Sequence, residues 1–348
     1  MKRIIGILAL VLVLYGLILA SDGNARTLGN HQNLALRLGK FGVLTLGVGI
    51  LIIAGGIDLS IGSVVGLSSI VLGLLLNKHV HPVFAVAAVL LGAVFIGLGH
   101  GLLVTRLKLQ PFIVTLCGLF IYRGMAYWLS LEDPMAPVQG LLRFLSLGHL
   151  FADAQQTGSA RNVGIGAVAP DVPGLVFLST GYPDIPILSA VPVRLWLLLG
   201  LALLAAVLMH VSVYGRYLYA IGANEQAARY AGVPTDRYKI LAYILCAMTA
   251  TIAGMLEMLE IKTATPSSSG QSYELYAITG AVLGGCSLRG GEGTIVGIIL
   301  GAAVLPLLNN LIIFAGIKSD LEYMVIGFAL LLGTVADELL KRRAARKG

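Results

Sequence analysis

Apolar residues run in blocks of roughly twenty down almost the whole chain, each near the length that carries an α-helix across a bilayer core. The blocks fall near residues 3–20, 41–56, 60–77, 82–105, 112–130, 194–213, 239–260, 273–288, 294–314 and 321–337. This pattern predicts an all-α polytopic membrane protein with about ten transmembrane helices, built as a single permeation-sized domain over residues 1–348. Glycines interrupt the block at 273–288, which makes it the weakest of the ten.

An even number of spans leaves both ends of the chain on one side. The ends are basic, with Lys2 and Arg3 at one and Lys341, Arg342, Arg343, Arg346 and Lys347 at the other. Basic flanks are retained in the cytoplasm, so both termini are expected there. The same orientation puts Arg106, Lys108, Arg216, Arg229, Arg237, Lys239 and Arg289 inside, while Arg26, Arg37 and Lys40 fall outside, against the rule. Residues 2–22 have the charge layout of a secretory signal, but Ile18 stands where cleavage after Ala20 would require a small residue. An uncleaved first helix is therefore expected.

Three connections are longer than turns. Residues 132–193 form an external insertion rich in proline, glycine and acids, with a short amphipathic piece near 141–150. Residues 214–239 are the most charged internal segment, a cytoplasmic coupling loop. Residues 261–272 make an external loop leading to Tyr273 and Glu274.

Composition agrees with the pattern: 57% of the 348 residues are hydrophobic and 12% charged, where a soluble domain carries about 25% charge. The net charge of +7 sits in loops and the tail, which suits membrane lipid and gives no sign of nucleic acid as a partner. Cys117, Cys246 and Cys286 are far apart in sequence and lie in apolar or glycine-rich surroundings, where they read as small packing residues. Glycines at four-residue spacing (62 and 66, 97 and 101, then 293, 297 and 301) let helices approach closely in lipid.

One interruption of the apolar pattern carries chemistry. Ala54–Ser63 places Gly55, Gly56, Asp58 and Ser60 inside a long apolar stretch. Such groups are tolerated at membrane depth only where protein or water satisfies the freed backbone, and they often mark a transport pathway or gate. Asp58 either lines that pathway or caps the helix beginning near Leu59, and capping asks less of it. A segment over 41–56 would be about 24 Å long, short of a core of about 30 Å, which puts the break near a cytoplasmic gate.

A second candidate lies in the coupling loop. Asn224 is a good N-cap, Glu225 suits a first helical turn, and Gly232 with Pro234 ends the helix. Small residues at Ala227, Ala228 and Ala231 make this helix either a surface connector or a docking knob for a cytoplasmic partner. Arg123 falls within a span and is expected to pair with a carboxylate, such as Glu257, Glu260 or Glu274. His100 and His210 read as helix-packing histidines. Tyr122, Tyr127 and Trp128 near an external boundary either stack on a solute or anchor the helix in the interface.

The chain shows no Gly-x4-Gly-Lys-Ser/Thr phosphate loop, because Gly39-Lys40 runs into Phe41, and no His-Glu-x-x-His pattern. No catalytic residue, metal site or bound cofactor is therefore expected in it. Any ATP hydrolysis that drives it belongs to another subunit.

The break resembles the Gly-Gly-Ile-Asp-Leu-Ser-x-Gly-Ser signature of inner-membrane permease subunits of ribose-type sugar importers of the ATP-binding-cassette class. Four further segments are similar to that family and occur in its order: Gln110–Leu116 with Tyr122-Arg123-Gly124; Gly215-Arg216-Tyr217 through Gly222–Gly232; Gly270–Leu275 with Val282–Gly285; and Gly290–Gly293 onward to Asp337. The resemblance spans about residues 33–338. It implies a subunit of the bacterial inner membrane that pairs with a second copy or a paralogue, receives solute from a periplasmic binding protein, and is driven by a cytoplasmic ATPase that uses ATP and Mg. Under it, Glu225, Ala227, Ala228, Arg229 and Gly232 couple to the ATPase, while Gly55, Gly56, Asp58, Ser60, Tyr273 and Glu274 belong to the pathway or gate.

The insertion at 140–193 and the residues Cys286, Arg289 and Glu292 depart from the family pattern, which leaves the solute and the binding protein open. The resemblance implies a monosaccharide or a related polyhydroxylated solute. A nucleoside or branched-chain amino acid permease is the nearest alternative. An ion-coupled secondary transporter is a more distant one, since few intramembrane carboxylates are paired in sequence.

Overall fold

A computed structural model of the chain describes residues 2–21, 23–130, 191–261 and 264–316, with isolated positions between 321 and 331. The described elements are helical: α1 (Lys2–Ser21), α2 (Leu28–Ile53), α3 (Ile61–Asn77), α4 (Pro82–Thr105), α5 (Pro111–Leu129), α6 (Val193–Ala206), α7 (Val213–Ala223), α8 (Glu225–Tyr230), α9 (Thr235–Ile261), α10 (Tyr273–Leu283) and α11 (Ile295–Phe314). A 3₁₀ turn, Gly23–Arg26, joins α1 to α2, and a π-helical turn, Val207–Val211, extends α6. Most of the insertion, the block at 321–337 and the basic tail lie outside the described residues.

Among the described residues, seven helices are long and apolar enough to cross a membrane: Ile4–Ser21, Leu28–Ile53, Pro82–Thr105, Pro111–Leu129, Val193–Val211, Thr235–Ile261 and Ile295–Phe314. Ile61–Asn77 is apolar but shorter. The block expected at 273–288 stops as an 11-residue helix, about 16 Å long, because the chain turns at Gly284 and Gly285, the latter at φ 93°.

The second block differs most from expectation. In place of a short segment over 41–56, α2 is a 26-residue helix, about 39 Å long. Its first half is polar in sequence, and partners on other helices make that half helical. Thr27 caps its N-terminus by accepting from the Asn30 amide. Asn30 and Asn310 exchange amide hydrogen bonds at 2.7 and 3.3 Å. His31 sits 2.7 Å from the Tyr15 hydroxyl, and buried Lys40 pairs with Glu260 at 3.2 Å. Arg37 and Lys40 are thus helix residues, and they no longer count as external loop charges.

α2 and α9 form the centre of the bundle: α9 packs on α2, α3 and α4, and α2 also meets α6, α10 and α11. Small residues set these approaches. At Gly97 on α4 an added Cβ would lie 2.7 Å from the Ile244 nitrogen and the Tyr243 carbonyl oxygen, so the α4 and α9 backbones touch there. Gly99, two residues along, faces open space. α10 and α11 meet through Gly280, Gly284, Gly297 and Gly301 in the same way.

This contrast is directly testable. Gly97→Ala should cost about 1–3 kcal/mol by overpacking, whereas Gly99→Ala should be neutral or stabilising by up to about 1 kcal/mol. Thermal unfolding of the two variants in detergent checks it, and equal midpoints would contradict the packing described.

Candidate functional site

Three turns meet at the end of the bundle that carries α8. They are the break after α2, the α7–α8 junction at 222–224, and the glycine-rich turn 284–293. The last carbonyl of α2, on Ile53, accepts a 2.9 Å hydrogen bond from the Gly291 amide. Gly291 has φ 73°, a left-handed conformation natural to glycine. Gly222 packs so closely on Ile53 and Gly291 that any side chain there would overlap both backbones. Tyr219 on α7 donates to the Gly293 carbonyl at 2.8 Å. Burial pushes its phenol up, with buried Cys286 a lesser contributor, so the hydroxyl keeps the proton that it donates.

α8 leaves this junction directly. The Asn224 side-chain Oδ1 accepts from the Ala227 amide at 3.0 Å, the cap that the sequence predicts. Gly232, at φ 84°, ends the helix, with its amide on the Arg229 carbonyl and that of Val233 on Ala228. Glu225 and Arg229 engage their own chain: Glu225 pairs with Lys239, and Arg229 reaches Asp236 at 2.7 Å and Thr235 at 2.9 Å. Ala228 is buried against the chain. The exposed positions are Gln226, Ala227, Arg229, Tyr230, Ala231 and Gly232, and Tyr230 is 90% exposed.

Further into the bundle, Asp58 is 2% exposed. Its Oδ1 accepts from the Ser60 amide at 2.8 Å and the Ser60 hydroxyl at 2.6 Å. The helix N-cap is Ser60, so the carboxylate braces the turn ahead of α3 and does not cap it. The other oxygen, Oδ2, faces His100 Nδ1 at 3.5 Å. His100 Nε2 lies 3.0 Å from the Tyr122 hydroxyl, and the Tyr243 ring stands edge-on to the imidazole. Asp58, His100, Tyr122 and Tyr243 therefore join the break to α4, α5 and α9. Tyr122 points into the bundle, while Tyr127 and Trp128 are exposed on its surface, where interfacial anchoring suits them.

Tyr273 and Glu274 lie away from Gly55 and Gly56. They begin α10 beside the loop 264–272, and the Glu274 carboxylate packs on Gly62. Lys40 donates to the Tyr273 hydroxyl at 3.2 Å, and Arg194, only 1% exposed, holds Glu260 at 2.8 Å. Buried Glu257 accepts from the Gly270 amide at 3.3 Å. Arg123, expected to pair with a carboxylate, instead donates to three carbonyls: Pro266 at 2.6 Å, Ser269 at 2.7 Å and Gly270 at 3.3 Å. The sequence reading missed Lys40, Arg194 and the His100–Tyr243 pairing; each partner is far away in the chain, and no local motif announces it. Among the described residues no three His, Cys, Asp or Glu side chains gather as a metal-binding group.

Comparison with known proteins gives the chain's relatives. The family model described as "Branched-chain amino acid transport system / permease component" matches residues 30–334. The ribose import permease protein of Escherichia coli K12 is 31% identical, over 94% of this chain and 91% of its own. That of Bacillus subtilis strain 168 is 32% identical over 88% of this chain and 84% of its own. The xylose transport system permease protein of Haemophilus influenzae is 28% identical over 97% of this chain and 96% of its own. No solved structure matches the chain.

The three-turn junction makes its own prediction. Gly222→Ala should lose about 1–3 kcal/mol of stability and speed hydrogen exchange at the Gly291 amide. Unchanged exchange at Gly291 would show that the two backbones do not depend on each other.

Proposed function

The chain belongs to this permease family, and on that premise we propose that it is the membrane-spanning subunit of an ATP-binding-cassette importer for a monosaccharide, a pentose in the first instance. The ribose and xylose permeases among its relatives, similar over nearly their whole length, support that solute class. The family description names branched-chain amino acids, which makes an amino acid the second reading. In the proposed assembly the chain sits in the bacterial inner membrane with about ten spans and both termini in the cytoplasm. It pairs there with a second copy or a paralogue, receives solute from a periplasmic binding protein, and bears on a cytoplasmic ATPase that uses ATP and Mg.

The observation that carries the mechanism is the Ile53–Gly291 hydrogen bond beside Gly222. It joins the helix that would meet the ATPase to the break in α2–α3 and to the C-terminal end of α10. When the ATPases close, α8 is pushed; it follows α7 with only Asn224 between them, and its ion pairs Glu225–Lys239 and Arg229–Asp236 tie it to the start of α9. The backbone contacts at Gly222 pass the push to Ile53 and Gly291 without an intervening flexible side chain. The pathway then changes sides by displacement of the break and of α10. Asp58, braced by Ser60 and facing His100, keeps the break in one conformation until that push arrives.

Bulk placed on the exposed face of α8 tests the coupling. Ala227→Leu with Ala231→Leu should leave the permease inserted and folded. It should lower ATP-driven pentose uptake in proteoliposomes by about tenfold or more, the effect of about 1.4 kcal/mol of lost docking. Uptake at the parent rate would remove α8 from the coupling role.

A further inference from the structure

The loop 264–272 reaches down into the bundle. Arg123 stands past the middle of α5, and it holds the carbonyls of Pro266, Ser269 and Gly270 there. Ser269 and Gly270 are buried, and their carbonyl oxygens lie against Gly66 and Gly62 of α3, where a Cβ would come within 2.7 and 2.5 Å of them. The Gly270 amide is held from a third side by Glu257 on α9. A guanidinium inside a membrane bundle is costly unless it is paired, and here backbone carbonyls do the pairing.

The surroundings are polar beyond what these contacts use. Ser63 Oγ on α3 and Tyr243 Oη on α9 are buried with no hydrogen-bond partner among the described residues. The polar groups sit at two levels of the α3–α9 seam, Tyr243 with Asp58 and His100 near the break and Glu257 beside the loop, with apolar packing between. The loop lies at the end of this seam away from α8: α9 starts next to α8 and runs out, at its other end, into the loop. The loop then continues into α10, whose opposite end is the Gly284–Gly293 turn at the α8 junction. α10 lies on α11 through glycines that bring the two backbones into contact.

We infer that residues 264–272 are a plug closing the pathway at the end away from α8, that Arg123 is the clamp holding it shut, and that α10 is the rod through which α8 withdraws it. This rests on the transport reading, but not on which solute is carried. The clamp suits a reversible closure. Its charge-assisted hydrogen bonds to carbonyls are strong enough to hold a loop, yet releasing them strands no second charge in the membrane. Lysine cannot reproduce the planar fork that spans three carbonyls.

The test uses the full chain in sealed liposomes without ATP. Swelling is recorded by light scattering with ribose, xylose or glycine as the osmolyte, and hydrogen exchange is followed over 264–272. Arg123→Ala should raise solute leak by about tenfold or more and accelerate exchange in the loop, with Arg123→Lys intermediate in both. Gly66→Ala, which crowds the Ser269 carbonyl while keeping Arg123, should leak as well and decides the matter if Arg123→Ala fails to fold. Vesicles as tight as the parent's with Arg123→Ala, or with Gly66→Ala where that variant decides, would overturn the plug, even if the loop exchanges faster. A leak of glycine equal to that of the pentoses leaves the plug standing, because the sugar reading fails separately, by absence of ATP-driven pentose uptake in the parent.

Discussion

The structure depends on one constraint: where a helix breaks inside a membrane, every backbone group it frees has to find a partner within the protein. At the break after Ile53, backbone-to-backbone contact supplies part of this pairing. The Ile53 carbonyl takes the Gly291 amide, Gly222 has no side chain to keep the strands apart, and Asp58 turns its carboxylate onto Ser60. A bulkier design would need water or side chains there, and either would blunt the transfer of motion. The same economy recurs at Gly62, Gly66 and Gly270, where the loop before α10 lies on α3.

Charges at depth follow a second rule, that they are paired by groups distant in sequence. Lys40 and Arg194 converge on Glu260, Glu257 takes an amide, and Arg123 takes carbonyls. Removing one member of such a set leaves a charge that the membrane interior cannot solvate. These contacts therefore specify how α2, α5, α6 and α9 stand relative to one another.

Much of the fold was legible in the sequence, because bilayer thickness imposes a length on apolar blocks. α1, α4, α5, α9 and α11 fall close to where the blocks predict them. Asn224 as the cap of α8 and Gly232 as its stop were also readable, being local rules of helix ends. What was not legible depends on long-range pairing. Asn30, His31 and Lys40 look like a polar loop until Asn310, Tyr15 and Glu260 come to meet them. Asp58 reads as a helix cap until the fold brings His100 to its free oxygen, and Ala228 reads as a docking face until α8 folds back on its own chain.

The central claim is that the break, the α8 segment and the glycine turn act as one unit coupled to the partner's ATP cycle. Hydrogen exchange across residues 54–60, 222–232 and 284–293, compared between the resting transporter and its ATP-trapped state, tests it most directly. The account predicts that protection changes in all three segments together. A change confined to 222–232, with 54–60 and 284–293 unaltered, would contradict it.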